Sequence, residues 1–380
     1  MNGLFPNLYP LIAVSYPVMK KTILVLIDNL GRGGAETLLM GILPELNKKF
    51  SVIIVTLSNE YEFGEQELIC AEKYSLGFQG KYSFLPAILK LKRIIKKTKP
   101  QIIHAHLFYS SIVARAACPP NISLVYSLHS IMSNDVFNNS WIYTFIEKLT
   151  FKRNHAVIAV SDTVLEDYER VIGKPSNSFV LRNYVADNFL SNGLIPGNIN
   201  LSKGIKLVAV GNIKPVKNYS YLLEAFKYLK HLPVILDIYG KGHPAEIAFL
   251  QKEINCESLP IQLKGSSANI AKVLPGYDLY VMCSKYEGCP LSPIEAAACG
   301  LPLLLSDLDV LREVSFNNGL FFNLEDPLNF VRLVTEIMSN KYDLNALSAN
   351  GIDIARSEYN KQIYLERLFD LYSKISAEQL

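Results

Sequence analysis

The 380-residue chain has no apolar run long enough to cross a bilayer, no CxxC pair and no strict internal repeat. A membrane-spanning helix needs about 18 or more consecutive apolar residues. The six cysteines lack the Cys/His spacing of a zinc site, and several lie in apolar segments, where a free thiol behaves as a small hydrophobe. These absences argue against an integral membrane protein and a cysteine metal site, and they favour a reducing compartment.

Net charge is also small, at +3, but it is unevenly distributed. Residues 1–190 hold 20 Lys and Arg against 15 Asp and Glu, whereas residues 191–380 hold 18 against 20. The first 18 residues are moderately apolar, lack a basic start and contain three prolines, so they do not predict a secretory signal. We expect a loose extension or a mis-assigned start there, with the natural beginning at Met19.

Short β-branched apolar runs alternate with amphipathic helical segments along the whole chain. Typical runs are TILVLI (22–27) and IKLVAVG (205–211), and NYSYLLEAFKYLK (218–230) has helical periodicity. The pattern restarts after a polar, Gly- and Asn-rich stretch at 186–204, which predicts an interdomain linker. We therefore expect an α/β protein of two doubly wound domains, 1–190 and 203–361, facing a cleft.

The segment KYEGCPLSPIEAAACG (285–300) predicts a loop followed by a helix. Ser292 is the predicted N-cap, with Pro293 at the first helical position and Gly300 just past the end. Ser292 and Glu295 match a capping box, which would give Glu295 a structural role. The alternative is a phosphate site, because a strand, loop and helix N-terminus expose free backbone N–H groups.

Two further loops follow predicted strands. AVGNIKPVKN (209–218) places Lys214 and Lys217 near a helix N-terminus, where a cation is unfavourable unless an anion such as a diphosphate is bound. Two solvated surface lysines are the alternative. NLGRGGAETLL (29–39) fails the dinucleotide fingerprint because Glu36 replaces its third glycine, which leaves a close-approach loop at Gly33 and Gly34.

The histidines and one acidic pair are weaker candidates. His104 and His106 alternate on a strand and share a face, and His129 ends the strand SLVYSL. Each could be structural. No carboxylate lies at ligand spacing from them, so we predict no metal site. DLD, from Asp307 to Asp309, looks like a metal–diphosphate motif but more simply closes the strand LPLLLS.

The segment LKLKRIIKKTKP (89–100) predicts a basic amphipathic helix. It could present a solvated face or lie on anionic lipid. Nucleic acid is disfavoured because no aromatic residues or known module accompany the charge. Its cations are Lys90, Lys92, Arg93, Lys96, Lys97 and Lys99.

From Lys20 onwards the chain resembles the retaining, nucleotide-sugar-dependent glycosyltransferases of family 4, which have the GT-B fold. The resemblance is carried by NLGRGGAETLL, IIHAHLFYS, SLHS, AVIAVSDTV, VLRNYVADNF, VGNIKPVKNYSYLLEAF and YGKG. It is carried above all by EGCPLSPIEAAACGLPLLLSD, which includes the family's E-x7-E signature. It implies that the final helix, about 362–380, crosses back onto an acceptor-binding first domain.

The resemblance also implies site roles. Glu287 would bind donor-sugar hydroxyls, Glu295 the ribose, and Lys217 the departing diphosphate. His129 would lie beside the reacting carbon. Gly33 and Gly34 would approach the phosphates or the acceptor from the first domain. The remaining donor contacts would come from Lys214, Gly288, Cys289, Pro290 and Leu291. Asn212 stands where many members have Arg, so one fixed cation is lost and Lys214 is the candidate replacement.

The expected activity is retaining transfer of a hexosyl or N-acetylhexosaminyl group from a nucleotide-diphosphate sugar, UDP favoured over GDP. The acceptor would be a glycan or lipid-linked saccharide in lipopolysaccharide or capsule synthesis. We expect no cofactor or metal, and a cytoplasmic protein, alternatively peripheral on the inner membrane face through the basic helix. The competing interpretations are a GT-B nucleotide-sugar epimerase and a two-domain sugar-binding protein without catalysis.

Overall fold

The computed structural model describes residues 20–31, 33–64, 67–190 and 199–377. The predicted N-terminal extension, residues 1–18, lies outside these ranges, as do residues 191–198 of the predicted linker. Within the described ranges, no helix combines the length and apolar character needed to cross a bilayer.

The first domain is built on a seven-stranded, entirely parallel sheet of order β3-β2-β1-β4-β5-β6-β7. Its interior strands are mostly apolar and rich in β-branched residues because helices cover both faces of the sheet. Their bounds are β1 (Thr22–Ile27), β2 (Ser51–Thr56), β3 (Glu72–Ser75), β4 (Ile102–His106), β5 (Ser123–Leu128), β6 (Ala156–Ala159) and β7 (Asn177–Val180). The helices are α1 (Gly34–Lys49), α2 (Phe84–Thr98), α3 (Phe108–Ala117), α4 (Trp141–Thr150), α5 (Asp162–Val171) and α6 (Asp187–Leu190).

The second domain repeats this design with six parallel strands in the order β10-β9-β8-β11-β12-β13. The strands are β8 (Ile205–Val210), β9 (Val234–Tyr239), β10 (Ile261–Gly265), β11 (Leu279–Met282), β12 (Leu303–Ser306) and β13 (Leu320–Phe322). Its helices are α7 (Tyr219–Leu229), α8 (Pro244–Glu257), α9 (Ile270–Val273), α10 (Leu291–Ala298), α11 (Asp309–Val314), α12 (Pro327–Met338) and α13 (Leu344–Glu358).

The last helix, α14 (Lys361–Ala377), returns to the first domain. Its Leu365, Leu368 and Tyr372 are buried in the same apolar cluster as Ile23 and Val25 of β1. The predicted two-domain fold with a C-terminal crossover is confirmed.

The two domains also share a packed interface behind the cleft. Val160 of the first domain lies in one continuous buried cluster with Cys289 and Val314 of the second and with Tyr359, which precedes α14. The Tyr359 hydroxyl donates to the Val314 carbonyl over 2.8 Å. The cleft is therefore closed on one side by core-like packing, and it is open at the carboxyl ends of the strands.

Candidate active site

The cleft lies between the carboxyl ends of the two sheets and encloses about 930 Å³. In parallel α/β sheets this edge is where ligands bind. The first domain lines it with Gly31, Gly33, Glu60 and Glu62. The second domain lines it with the segments 210–212, 239–241 and 266–268.

Lys217 and Glu287 form an ion pair beside this cleft. The Lys217 ammonium lies 2.7 Å from Oε1 of Glu287, and both side chains are largely buried, at 17% and 15% exposure. The stem of Lys217 packs against Gly211, which lines the cleft; an added Cβ on that glycine would lie 3.0 Å from the lysine Cε. Two residues predicted separately from the sequence therefore meet.

The turn around Lys217 is fixed by backbone geometry. Residues Pro215–Lys217 form a 3₁₀ turn, and Asn218 takes a left-handed conformation at φ +55° before α7 begins. The Lys285 amide donates to the Val216 carbonyl over 2.9 Å, which ties this turn to the loop that carries Glu287. The relative position of the ammonium and the carboxylate is thus set by main-chain contacts between two loops.

Lys214 occupies a different place from Lys217. It is exposed and lines a neighbouring hollow of about 430 Å³ with Pro215 and Lys285, whereas Asn212 lines the cleft itself. Lys241, which the sequence analysis did not single out, is exposed and also lines the cleft. Its position in YGKG, directly after β9, was the signal that could have identified it.

The capping box predicted at Ser292 is wrong. Helix α10 begins at Leu291 with Pro290 as its N-cap, and no side chain caps it. Ser292 lies inside the first turn, and its Oγ accepts from the Tyr280 hydroxyl over 2.8 Å. Pro293 is accordingly the third helical residue rather than the first. Gly300, at φ +83°, ends the helix as predicted.

Glu295 is consequently free of the structural role that a capping box would give it. Burial alone raises the pKa of its carboxyl from 4.5 to about 7. Among the described residues, none donates a hydrogen bond to this carboxylate. A desolvated acid without a protein donor is well suited to accept hydrogen bonds from a ligand.

The loop that carries Glu287 is anchored on the first domain. The Ser161 hydroxyl donates to the Gly288 carbonyl over 2.8 Å, and Nδ2 of Asn183 donates to the Cys289 carbonyl over 3.0 Å. A Cβ on Gly288 would lie 2.3 Å from the His129 carbonyl oxygen. Gly288 is thus required for close approach between the domains, and it places His129 next to the Glu287 loop. Cys289 is a buried thiol whose pKa is raised to about 12 by desolvation.

The three histidines form a neutral row along the first sheet. The rings of His104 and His106 are 4.0 Å apart, and Nδ1 of His106 lies 3.2 Å from Nε2 of His129. His104 also contacts Ser127 and the hydroxyl of Tyr372 in α14, at 2.7 and 2.6 Å. Burial lowers the pKa of His129 to about 4 and that of His104 to about 3. His129 is therefore a neutral hydrogen-bonding group at pH 7.

The glycine loop at Gly33 and Gly34 leads directly into helix α1 and is packed against a side chain of that helix. Helix α1 begins at Gly34, and Glu36 in its first turn is buried with its carboxylate against Gly33. A Cβ on Gly33 would overlap that carboxylate. Burial, together with the nearby Asp28 and Glu60 charges, raises the pKa of Glu36. This acidic loop disfavours a phosphate at that point and favours hydroxyl groups.

The Asp307–Asp309 motif is structural. Asp307 accepts from Nε of Arg312 over 2.5 Å, and Asp309 is the first residue of α11. In the part of the chain that the structure describes, no cluster of three His, Cys, Asp or Glu side chains could hold a metal ion.

Two known protein families match this chain. The family described as Glycosyltransferase Family 4 matches residues 32–188, and the family Glycosyl transferases group 1 matches residues 196–353. The two matches fall on the first and the second sheet, respectively.

Relatives of established chemistry cover most of the chain at low identity. An α-1,3-galactosyltransferase of Escherichia coli, named for UDP-Gal and α-D-GlcNAc-diphosphoundecaprenol, is 25% identical over 76% of this chain and 79% of its own. An α-1,3-N-acetylgalactosaminyltransferase of Campylobacter jejuni, named for N,N'-diacetylbacillosaminyl-diphospho-undecaprenol, is 22% identical over 87% and 92%.

Solved structures share the fold. Alr3699/HepE of Anabaena, crystallised with UDP, has a TM-score of 0.80 at 19% identity and covers 94% of this chain and 100% of its own. With a glycosyltransferase family matching each of the two domains and the two-sheet architecture in place, the chain belongs to the family 4 glycosyltransferases of the GT-B fold.

Proposed function

We propose that this glycosyltransferase moves a hexosyl or N-acetylhexosaminyl group from a UDP-sugar to a lipid-linked saccharide, with retention of anomeric configuration. The observation that carries the proposal is the Lys217–Glu287 pair beside the interdomain cleft. It sets a cation and a hydroxyl-binding carboxylate side by side, as a sugar attached to a diphosphate requires.

In this proposal the second domain binds the donor. The Lys217 ammonium exchanges Glu287 for the diphosphate and stabilises the charge that develops on the leaving group. Glu287 then accepts from sugar hydroxyls, and Glu295 accepts from the ribose. Asn212 leaves the cleft without the arginine that many family members have at this position. Lys241, which lines the cleft, supplies the second cation instead, because Lys214 lines the neighbouring hollow. The backbone N–H groups of Gly288, Cys289 and Leu291 bind the sugar and phosphate, since α10 begins without a side-chain cap. The UDP bound to HepE supports uracil as the base.

Retention is proposed to occur by same-face attack, assisted by the departing phosphate oxygen. A double displacement needs a carboxylate nucleophile under the anomeric carbon. Glu287 is a carboxylate beside the cleft, but its ion pair with Lys217 favours a hydroxyl-binding role. Positioning and charge stabilisation suffice for the proposed route, with Lys217 and Lys241 in place of a metal ion.

The acceptor is proposed to bind the first domain. A hollow of about 190 Å³, lined by Asp28, Tyr109, His129 and Asp135, opens at the carboxyl ends of β4 and β5. The relatives named for diphosphoundecaprenol substrates support a lipid-linked saccharide there. We propose a cytoplasmic-face location, with the exposed lysines of α2 directed to anionic lipid.

A thermal-shift panel tests the donor half of this proposal. UDP and UDP-sugars should raise the melting temperature of the native chain more than GDP or ADP, and Lys217→Met should abolish the difference. No shift with any nucleotide would overturn the proposal. A nucleotide-sugar epimer formed without an acceptor, or binding without nucleotide release, would favour the epimerase or the non-catalytic alternative.

A further inference from the structure

Helix α4 exposes a row of apolar side chains, which is unusual for a surface helix. Its one fully buried side chain is the carboxylate of Glu147, whereas Trp141, Phe145 and Leu149 are 77%, 56% and 72% exposed. These three residues are spaced at i, i+4 and i+8, so they form one row, and Ile142 lies beside it at 45% exposure. A helix whose outer face contacts only water normally places its apolar row inward.

The inward face of α4 carries a buried polar network beside Tyr143 and Ile146, which pack against the apolar core. Glu147 accepts two hydrogen bonds from the guanidinium of Arg115, both at 2.5 Å, and one from the Tyr168 hydroxyl at 2.7 Å. This ion pair fixes the rotation of the helix, because turning it inside out would leave a buried arginine without its partner. The outward direction of Trp141 and Phe145 is therefore built into the fold.

A second exposed apolar patch lies on α2. Leu85 and Leu89 are 65% and 47% exposed, and they share a helix face with Lys92 and Lys96 at i+7 and i+11 from Leu85. An aromatic bridge joins the N-terminal ends of the two helices. The ring of Phe84 in α2 lies 6.1 Å from that of Tyr109, whose hydroxyl lies 3.2 Å from that of Tyr143 in α4.

The charge around both helices is mainly positive, although Lys97 of α2 pairs with Glu72 over 3.0 Å. The sequence contains no Asp or Glu between Glu72 and Asp135, a span that includes all of α2 and α3. The only acid of α4 is the buried Glu147. Lys148, Lys152 and Arg153 at its C-terminal end are exposed, and no described carboxylate lies within ion-pair distance of them. An apolar row flanked mainly by cations matches the interface of an anionic bilayer, where Trp is also enriched.

We propose that α4 and the N-terminal half of α2 insert their apolar side chains into the interface of an anionic lipid bilayer. Trp141, Phe145 and Leu149 enter the headgroup region, and the lysines of α2 and the end of α4 contact the lipid phosphates. This goes beyond the electrostatic attachment proposed above, because it names the helix that inserts into the bilayer and the side chains that set how deeply it inserts.

The same placement orients the catalytic cleft. Helices α3 and α4 begin at the carboxyl edge of the first sheet, where the hollow beside His129 opens. With α4 at the interface, that hollow faces the bilayer, so a lipid-linked saccharide reaches it without leaving the membrane. This orientation rests on the proposed function, whereas the insertion itself does not.

Trp141 is the sole tryptophan of the chain, so its emission reports on α4 in the unlabelled protein. We expect a blue shift with phosphatidylglycerol-containing vesicles, a weaker shift with pure phosphatidylcholine, and quenching by lipids brominated on their acyl chains. Phe145→Ser with Leu149→Ser should lower the partition coefficient at least about tenfold, and Lys92→Ser about fivefold. Phe249→Ser, equally exposed at 54% in the second domain, should change nothing.

Absence of a shift with every vesicle composition would overturn the proposal. So would an equal loss in the Phe249 variant, or a blue shift that depends on protein concentration without lipid, which would show that a second copy covers the face. The assay contains no donor or acceptor. Failure of sugar transfer with intact vesicle binding would therefore count against the proposed function and not against the insertion.

Discussion

The Lys217 ammonium and the Glu287 carboxylate are 2.7 Å apart, although their loops follow different strands, β8 and β11. A backbone hydrogen bond from the Lys285 amide to the Val216 carbonyl joins the two loops, and the loop of Glu287 is also bonded to the first domain. The pair therefore sits at the point where both loops and both domains meet. A donor diphosphate that bound Lys217 in place of Glu287 would separate the two side chains. Donor binding would then be coupled to the contact between the domains.

Replacing the Lys217 ammonium should impair the chemical step more than folding. We expect Lys217→Met to lower kcat by about 10²–10³-fold, because charge on the leaving diphosphate loses its nearest cation. Lys214→Met is the matched control, since Lys214 lines a separate hollow. Steady-state kinetics on both variants checks this; equal losses would show that the two lysines share the role.

Glu295 should make donor affinity depend on pH. Its pKa of about 7 means that the carboxylate needed to accept from ribose hydroxyls is depleted below pH 7. Affinity for a UDP-sugar should fall by up to about tenfold per pH unit below 7 and level off above it. Calorimetry with the UDP-sugar avoids the terminal phosphate ionisation of free UDP. Glu295→Gln should bind more weakly at pH 8 and lose the pH dependence; an unchanged profile would remove Glu295 from the site.

The same raised pKa predicts a stability cost. The folded carboxyl holds its proton up to about pH 7, whereas the unfolded group ionises near 4.5, so stability is lost as pH rises between these values. Glu295→Gln should therefore stabilise the chain at pH 8 by up to about 3 kcal/mol and have little effect at pH 4.5. Denaturant unfolding at the two pH values measures this. Equal effects at both would contradict the pKa.

Gly288 should be intolerant of any side chain. Gly288→Ala places a methyl 2.3 Å from the His129 carbonyl oxygen, which forces the loop that carries Glu287 away from the first domain. We expect about 1–3 kcal/mol of destabilisation and a lower kcat/KM. Gly276→Ala is the control, because its Cβ would meet nothing within 4 Å. Wild-type melting and activity in Gly288→Ala would disprove the close contact.

Glu313 should hold the two domains together. From α11 its carboxylate accepts from the amides of Asp162 and Thr163 at 2.8 and 3.1 Å and from Arg182 at 3.3 Å, at the N-terminus of α5. Glu313→Gln should cost about 1–3 kcal/mol, since charge-assisted bonds to a helix N-terminus are lost. Glu336→Gln, which breaks a surface pair with Lys341, should cost well under that. Denaturant titration of both variants decides between them.

Much of the fold was predictable because interior strands are nearly continuous apolar runs. The strands that sequence reasoning missed, β3 (Glu72–Ser75) and β13 (Leu320–Phe322), are both edge strands. An edge strand is partly exposed and pairs on one side only, so it carries a short, weak apolar signal. The final helix was recognisable as amphipathic, but the domain on which it packs could be predicted only from the family resemblance.

The site was less predictable than the fold. Lys217 and Glu287 were each named, yet their contact spans 70 positions and no local pattern encodes it. The capping box failed because the helix starts two residues earlier than expected and Tyr280 binds the Ser292 hydroxyl. Gly288 was expected to let a ligand approach, whereas the group that approaches is the His129 backbone. Only the assembled domains show such relationships.

The most direct measurement is NMR analysis of the product formed from a UDP-sugar and a short-chain diphospho-polyprenol-linked saccharide. We expect a glycoside with the donor's anomeric configuration, released UDP in equal amount, and loss of both with Lys217→Met. A glycoside of inverted configuration, or turnover of the UDP-sugar with no glycoside on the acceptor, would contradict it.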